Sequence, residues 1–305
     1  MKKKFNIKKQ LPNIILATVF IVGLCIFLYP SVSDIINSWL QSREISKYEN
    51  LVAGLSFEEY DKMLSDAREY NKTLIGNNLT QNIEKSKNTN YKQLLSLDNT
   101  GIMGYLYISK INVRLPIYHG TDASVLQNGI GHLEGSSLPV DGETQHVVIS
   151  GHTGLPSSKL LTDLVELEVG DTFKLDILNQ RYTYEIDQIL VVEPNETDAL
   201  ELVEGKQYAT IITCTPYGVN THRLLVRGEL KEDIVDANIS GDAIVINSNI
   251  LIPVIAIPLI IILFIIMISI RRKRRERPAD LQRRSGSCVR WRNIGSSMKP
   301  LKKAS

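Results

Sequence analysis

Three side chains of the right types for acyl transfer lie between the middle of this chain and residue 223: His152, Cys214 and Arg223. A thiolate can attack a carbonyl, an imidazole can move the proton, and a guanidinium can hold the developing oxyanion. Cys214 ends the run Tyr208-Ala-Thr-Ile-Ile-Thr-Cys214, which Thr215-Pro216-Tyr217-Gly218 breaks at once. That spacing places the thiol at a strand end beside a loop. Position alone leaves the choice between nucleophile and buried structural cysteine open, since free cysteine is among the most buried residue types. Arg223 opens the next apolar run, Arg223-Leu-Leu-Val-Arg227, nine residues on. If the two runs form a hairpin, Arg223 returns to the end of the sheet that carries Cys214; the alternative is a surface ion pair. His152 follows an apolar run directly in Ser150-Gly-His-Thr-Gly-Leu-Pro156, flanked by glycines at a strand end. His222 adjoins Arg223 and points elsewhere if Arg223 points into a site. His119, His132 and His146 have no comparable setting.

Other chemistries fit less well. One cysteine with dispersed histidines lacks the close ligand pairs of a zinc site, so neither a metal nor a cofactor is expected. No G-x-S-x-G elbow and no glycine-rich phosphate loop is present.

The elements that must position these groups follow from composition. Leu11–Tyr29 is uncharged and follows Lys2, Lys3, Lys4, Lys8 and Lys9; Ile244–Ile270 is uncharged and precedes Arg271-Arg-Lys-Arg-Arg275. About 20 apolar residues cross a bilayer as a helix, and basic clusters stay on the cytoplasmic side. Both termini are therefore expected in the cytoplasm, with 31–243 outside and the protein embedded in the cell membrane by two passes. A cleaved signal peptide is the alternative for the first segment, but Ser31-x-Ser33 is a weak cleavage site. Of the three cysteines, Cys25 lies in the first apolar segment and Cys288 in the basic tail. Cys214 is then the one cysteine outside, with no partner for an internal disulfide.

The net charge of +2 hides an asymmetry: residues 31–243 carry 17 Lys+Arg against 31 Asp+Glu, a net −14, and the remainder a net +16. The basic residues are topological determinants, and an acidic ectodomain does not suit nucleic acid as partner.

Within the ectodomain, residues 31–75 read as helical. Ser56 and Glu59 form a capping box before Phe57, Tyr60, Met63/Leu64, Ala67 and Tyr70 at helical spacing. Residues 76–100, rich in Asn, Thr, Lys and Ser, read as a mobile connection. From Gly101, seven short β-branched and aromatic runs appear between turn residues: 105–109, 113–118, 146–150, 172–178, 181–192, 208–214 and 223–230. Such spacing predicts an all-β barrel or sandwich, interrupted by one helical stretch at 160–168.

At this point the residues resemble a family. Ile211-Ile-Thr-Cys214-Thr-Pro-Tyr-Gly-Val-Asn-Thr-His-Arg223-Leu-Leu-Val-Arg-Gly228 is similar to the active-site segment of sortases, and Ile149-Ser-Gly-His152-Thr-Gly-Leu-Pro156 to their histidine loop. Lys110-Ile-Asn-Val-Arg-Leu-Pro-Ile-Tyr-His-Gly120 and Gly131-His-Leu-Glu-Gly-Ser-Ser-Leu-Pro139 are similar to class C, the pilin-polymerising branch of Gram-positive bacteria. The resemblance implies a closed sortase-type β-barrel over 101–232 with short helices. A helical extension and possible lid segment precede it at 31–100. Transmembrane helices at 11–29 and 244–270 flank the ectodomain, between a basic N-terminus (1–10) and a basic tail (271–305). It also implies a cysteine transpeptidase. Cys214 would cleave an LPXTG-like sorting signal and pass the acyl group to a lysine amine of another pilin subunit, with His152 and Arg223 assisting. A sortase that attaches surface proteins to peptidoglycan cross-bridges, a membrane-anchored cysteine hydrolase and a non-catalytic adhesion domain are the other readings. Class C enzymes often carry an Asp-Pro-aromatic lid. This chain has no Asp-Pro, and Tyr91, Leu94, Leu95 and Leu97 stand as possible plugs.

Overall fold

A computed structural model of the chain describes residues 7–231 apart from Asn88, Asn99 and Pro156. The second apolar segment and the basic tail lie outside the described residues. The architecture is a closed β-barrel preceded by three helices.

Helix α1 (Ile7–Ala53) is longer than expected, because the apolar segment and the first helical region form one helix that continues through Pro30. Among the described residues it holds the one stretch apolar and long enough to cross a membrane, with a mean hydropathy of 2.4 over 18 residues and none of that window buried. Its C-terminal half docks on the barrel. Ile45 and Tyr48 are buried, and the Tyr48 hydroxyl donates to the Met103 carbonyl (2.8 Å) while accepting the Leu178 N–H (2.9 Å).

Helix α2 (Phe57–Leu74) starts at the expected capping box: Ser56 Oγ accepts the Glu59 N–H, and the Glu59 carboxylate accepts the Ser56 N–H. The expected apolar stripe packs on the core, with Leu64, Ala67 and Tyr70 buried and Tyr60 and Met63 half-buried; Phe57 is the member that stays out. Phe57 is 83% exposed, and the buried face is Leu64, Ala67, Tyr70, Asn71 and Leu74. Asn71 clamps this helix to the barrel by exchanging two hydrogen bonds with the Leu138 backbone (2.9 and 2.7 Å).

Residues 76–100 are not the loose connection that their composition suggests. Asn78 caps helix α3 (Leu79–Ser86) through a second capping box with Gln81, and a 3₁₀ turn follows at Tyr91–Gln93. Tyr91 and Leu95 are 1% exposed, inside the main core rather than free to plug a cleft. Two large side chains outweigh a polar segment: burying each is worth about 2–3 kcal/mol.

The barrel strands are β1 (Ile102–Ile108), β2 (Val113–His119), β3 (Ile130–His132), β4 (Gln145–Gly151), β7 (Thr172–Ile177), β8 (Gln180–Val192), β9 (Gln207–Thr215) and β10 (His222–Leu230). They close in the order β1-β2-β3-β4-β9-β10-β8-β7. A side hairpin, β5 (Thr153–Leu155) and β6 (Ser158–Leu160), follows β4. The seven expected strands are present within two or three residues at each end. Strands β3, β5 and β6 are too short for a periodic signal. The expected helix at 160–168 is the end of β6 followed by a 3₁₀ turn, Thr162–Glu166.

Inward residues alternate as the pleat requires: Val147 and Ile149 on β4, Ala209 and Ile211 on β9, and Leu224 and Val226 on β10 are buried in one core. Around it sit two fully desolvated histidines. His132 donates from Nε2 to the Ser137 carbonyl (2.8 Å) and accepts the Tyr91 hydroxyl at Nδ1 (2.8 Å). His146 donates from Nδ1 to the Glu201 carbonyl (2.9 Å) and accepts the Thr210 hydroxyl at Nε2 (2.8 Å). These partners assign a neutral tautomer to each ring. Burial holds both pKa values down, from 6.5 to about 4.

That shift has a stability consequence with a definite sign. Above pH 6.5 both rings are neutral whether folded or unfolded, so the contribution is complete. As pH falls from 6.5 toward 4, the unfolded chain takes up protons that the fold refuses. Each ring then costs at most about 1.4 kcal/mol per pH unit. Urea midpoints between pH 7.5 and pH 4.5 should therefore drop steeply below about pH 6.5; a flat profile over that window would contradict the neutral assignment.

Candidate active site

The sheet register brings the three sequence-predicted residues to neighbouring strand ends. Strands β9 and β10 are antiparallel, with Cys214 directly opposite Arg223. Directly opposite residues share a face, so the thiol and the guanidinium project from the same side of the barrel wall. Strand β4 runs parallel to β9, and its last registered pair is Ser150 with Ile212. Strand β4 ends one residue later, at Gly151, and His152 joins it to β5 at the end of the sheet where β9 carries Cys214. The hairpin expected from the spacing of Cys214 and Arg223 is therefore present, and β4 supplies its third neighbour.

The face is the outer one. Inward positions of β9 and β10 are Ala209, Ile211, Leu224 and Val226, whereas Cys214 alternates with Ile212, and Arg223 with Leu225. On this side Val148, Ile212, Leu225, Leu190 and Val192 belong to one apolar cluster. Val192 pairs with Arg223, and Leu190 with Leu225, so the apolar patch begins at the row that holds the arginine. Leu79 and Ile83 of α3 and Leu200 of the β8–β9 connection join the same cluster. Val148, Leu200 and Leu225 are buried in this cluster, and Leu190, Val192 and Ile212 are its partly exposed members beside Cys214 and Arg223.

Cys214 is a half-buried free thiol. That answers the structural alternative, since a core cysteine on β9 would occupy an inward position such as Ile211. Arg223 donates from Nη1 to the carbonyls of His222 (3.0 Å) and Asn220 (3.3 Å). Among the described residues no carboxylate pairs with it, so the ion-pair alternative has no support there. Backbone acceptors orient the fork without neutralising its charge.

The histidines separate cleanly. His119, His132 and His146 are at least 90% buried and bonded to backbone carbonyls through one or both ring nitrogens. His222 is exposed, pairs in register with Thr215 and has its Nδ1 against the Thr221 hydroxyl (2.8 Å). It thus alternates away from Arg223. His152 is half-buried, at the junction of β4 and the β5–β6 hairpin.

Two features escaped sequence reasoning. Tyr217 of the Cys214 loop lays its ring against Gly154 of the His152 loop, where a Cβ would fall on the ring. Gly154 also has φ +76°, a conformation that favours glycine. Gly154-Leu-Pro156 after the histidine was the available signal, but nothing in it names Tyr217. The second feature is the grip of α1 on the β5–β6 hairpin: the Asp34 carboxylate accepts the Lys159 N–H (2.7 Å), and the Asn37 amide donates to the Ser157 carbonyl (2.7 Å). Among the described residues, no group of His, Cys, Asp and Glu could hold a metal ion. Likewise, no hydrogen bond or ion pair joins residues 76–97 to His152, Cys214 or Arg223.

Comparison with known proteins places this geometry. The sortase domain family matches residues 106–231. Sortase D of Bacillus subtilis is 36% identical over 114 residues, which cover 37% of this chain and 54% of that protein. The chain thus spans about half the length of the curated relatives it matches. Among solved structures, sortase C1 of Streptococcus agalactiae is 48% identical with a TM-score of 0.60, over 63% of this chain and 99% of that one. Sortase C of Clostridium perfringens, solved with the C-terminal cell wall sorting motif, is 42% identical with a TM-score of 0.54, over 63% and 100%. The chain belongs to the sortase family, and the solved structures it resembles at this level are class C sortases.

Proposed function

We propose that this protein is a membrane-anchored cysteine transpeptidase that cleaves an LPXTG-like sorting signal and joins it to a lysine amine of another pilin subunit. The observation that carries the reading is the pairing of Cys214 with Arg223 on one face, beside the His152 strand end and above an apolar floor. Membership of the family supports it, as does the similarity to class C sortases, one of them solved with a sorting motif.

The mechanism follows from the placement. The peptide lies along the outer face with its apolar residues against the partly exposed Ile212, Leu190 and Val192. The Cys214 thiolate attacks the carbonyl of the Thr-Gly-type bond, and Arg223 stabilises the oxyanion. Collapse breaks the C–N bond; His152 gives its proton to the departing amine. A thioester between Cys214 and the threonine carbonyl remains, and the C-terminal fragment leaves. The lysine amine then attacks the thioester, the imidazole of His152 accepts its proton, and the Cys214 thiolate is released. The energy of the broken amide is retained in the thioester, so a new amide forms without ATP. Exclusion of water from the site decides whether the amine wins. Apolar helix α1 is the anchor, and the basic clusters at residues 2–9 and 271–275 put both termini in the cytoplasm.

Three outcomes follow. Cys214→Ala abolishes both the trapped thioester, read by mass spectrometry of enzyme with a sorting-signal peptide, and high-molecular-weight polymers in cells; polymers that persist without the thiol sink the proposal. Arg223→Lys keeps the charge but loses the fork, and kcat falls about 10²-fold with little change in KM. An equal rise in KM alone would make Arg223 a binding residue. With purified protein, an amine acceptor carrying a lysine side chain diverts product from hydrolysis to ligation, and ligation rises with its concentration. Release that ignores the acceptor identifies a hydrolase, and preference for a peptidoglycan-type amine identifies cell-wall anchoring.

A fourth concerns the loop contact. Gly154→Ala must displace the Tyr217 ring and strain a positive φ. Turnover is expected to fall about tenfold while the melting temperature moves by only a few degrees, because both loops lie outside the barrel core. Unchanged turnover would show that the two loops act independently.

A further inference from the structure

Helix α1 carries two opposite stripes beyond its apolar segment. Asp34, Asn37, Gln41, Ile45 and Tyr48 recur at intervals of three or four and face the barrel. Val32, Ile35, Ile36, Trp39 and Leu40 are 40–61% exposed, and the Arg43 guanidinium lies 5.8 Å from the centroid of the Trp39 ring. At about 100° per residue the centres of the two stripes are about 180° apart, so the apolar one cannot meet the barrel. It continues without a break from Leu11–Tyr29, which the reading above places in the bilayer.

The polar stripe has a specific target. Asp34 and Asn37 bind the backbone at Lys159 and Ser157, in the hairpin that begins one residue after His152. Gln41 binds the Asn128 carbonyl (3.0 Å), just before β3. Asp34 is five residues past Tyr29, a rise of about 8 Å. The end of the hydrocarbon-spanning run and the histidine hairpin are therefore tied together through barely more than one turn of helix.

We propose that the turn Ile35–Trp39 of α1 lies in the lipid headgroup layer, with the apolar stripe against lipid and the polar stripe holding the His152 hairpin at the membrane surface. Three features fix lipid as the occupant. The stripe is continuous with the bilayer-spanning run of the same helix, Trp39 has the amphipathic ring that favours the interface, and Arg43 beside it can reach lipid phosphate. The consequence deepens the proposed function, and rests on it: the site is built for a peptide that is itself held at the membrane, where confinement raises its effective concentration.

The full chain in phospholipid vesicles tests this. Trp39 and Trp291 are its two tryptophans, so Trp291→Phe leaves Trp39 as the sole emitter. Expected are a blue-shifted emission, weak quenching by acrylamide, and stronger quenching by lipid brominated near the headgroup end of the acyl chain than near its terminus. A water-like emission quenched by acrylamide and indifferent to bromolipid overturns the proposal. So does a Trp39 shielded from both quenchers with cross-linking between copies, which would make the stripe a protein interface. In the same vesicles Ile36→Glu/Trp39→Glu should cleave a soluble signal peptide at the wild-type rate and lose about tenfold on that peptide fused to a membrane span. Equal loss on both substrates would show that the stripe acts on the site and not on its location. If the unsubstituted enzyme fails on the soluble peptide, the transpeptidase reading falls while the fluorescence result stands by itself.

Discussion

Barrel closure is the constraint on which everything else depends. Eight strands can close only with a fixed register between each pair, and register decides which side of the wall every residue occupies. The parallel pairing of β4 with β9 and the antiparallel pairing of β9 with β10 bring residues 62 and 9 positions apart in sequence to one place. A one-residue slip of β10 would turn Arg223 inward and expose Leu224. The buried alternation of Ala209, Ile211, Leu224 and Val226 forbids that slip. The core therefore specifies the site, although no site residue belongs to it.

Polar chemistry is sorted by the same wall. Neutral histidines are tolerated in the interior because each ring has a donor and an acceptor partner, which offsets the loss of water. His132 and His146 are thereby committed to structure. His152 sits where the wall ends, and its loop is steadied from two directions: by the Tyr217 ring on Gly154, and by Asp34 and Asn37 on the hairpin backbone. A flexible loop would spend free energy on orientation at every turnover. Here that ordering is supplied by folding.

The N-terminal helices extend this logic outward. Docked through Tyr48 and Ile45, α1 couples the barrel to the apolar segment without an intervening linker. Helix α2 closes one side with Leu64, Ala67 and Leu74, and the segment after it inserts Tyr91 and Leu95 into the same core. Helix α3 instead reaches the apolar cluster under the site through Leu79 and Ile83. Residues 76–100 thus belong to the barrel structurally, despite a composition that suggests a linker.

Local chemistry in the sequence was enough to find seven strands, the Ser56–Glu59 cap and the apolar helix, and to single out three candidate site residues. Each rests on neighbours along the chain: alternation, capping geometry, hydrophobic length, or a reactive side chain at a strand end. The readings that failed involve distant partners. Phe57 fits a helical stripe, yet it lies in the first turn, outside the core that takes up Leu64, Ala67 and Tyr70 of the same stripe. Tyr91 looks like a plug until its hydroxyl finds His132. The 160–168 stretch has helical spacing, but pairing with Thr153 draws Leu160 into a strand. The apolar N-terminal helix and the three candidate site residues could be named from the sequence itself, because hydrophobic length, residue type and local spacing define them. The placement of Cys214 and Arg223 on one outer face, the orientation of α1 and the choice of structural histidines were decided only by tertiary structure, because register and burial depend on contacts that a linear pattern does not contain.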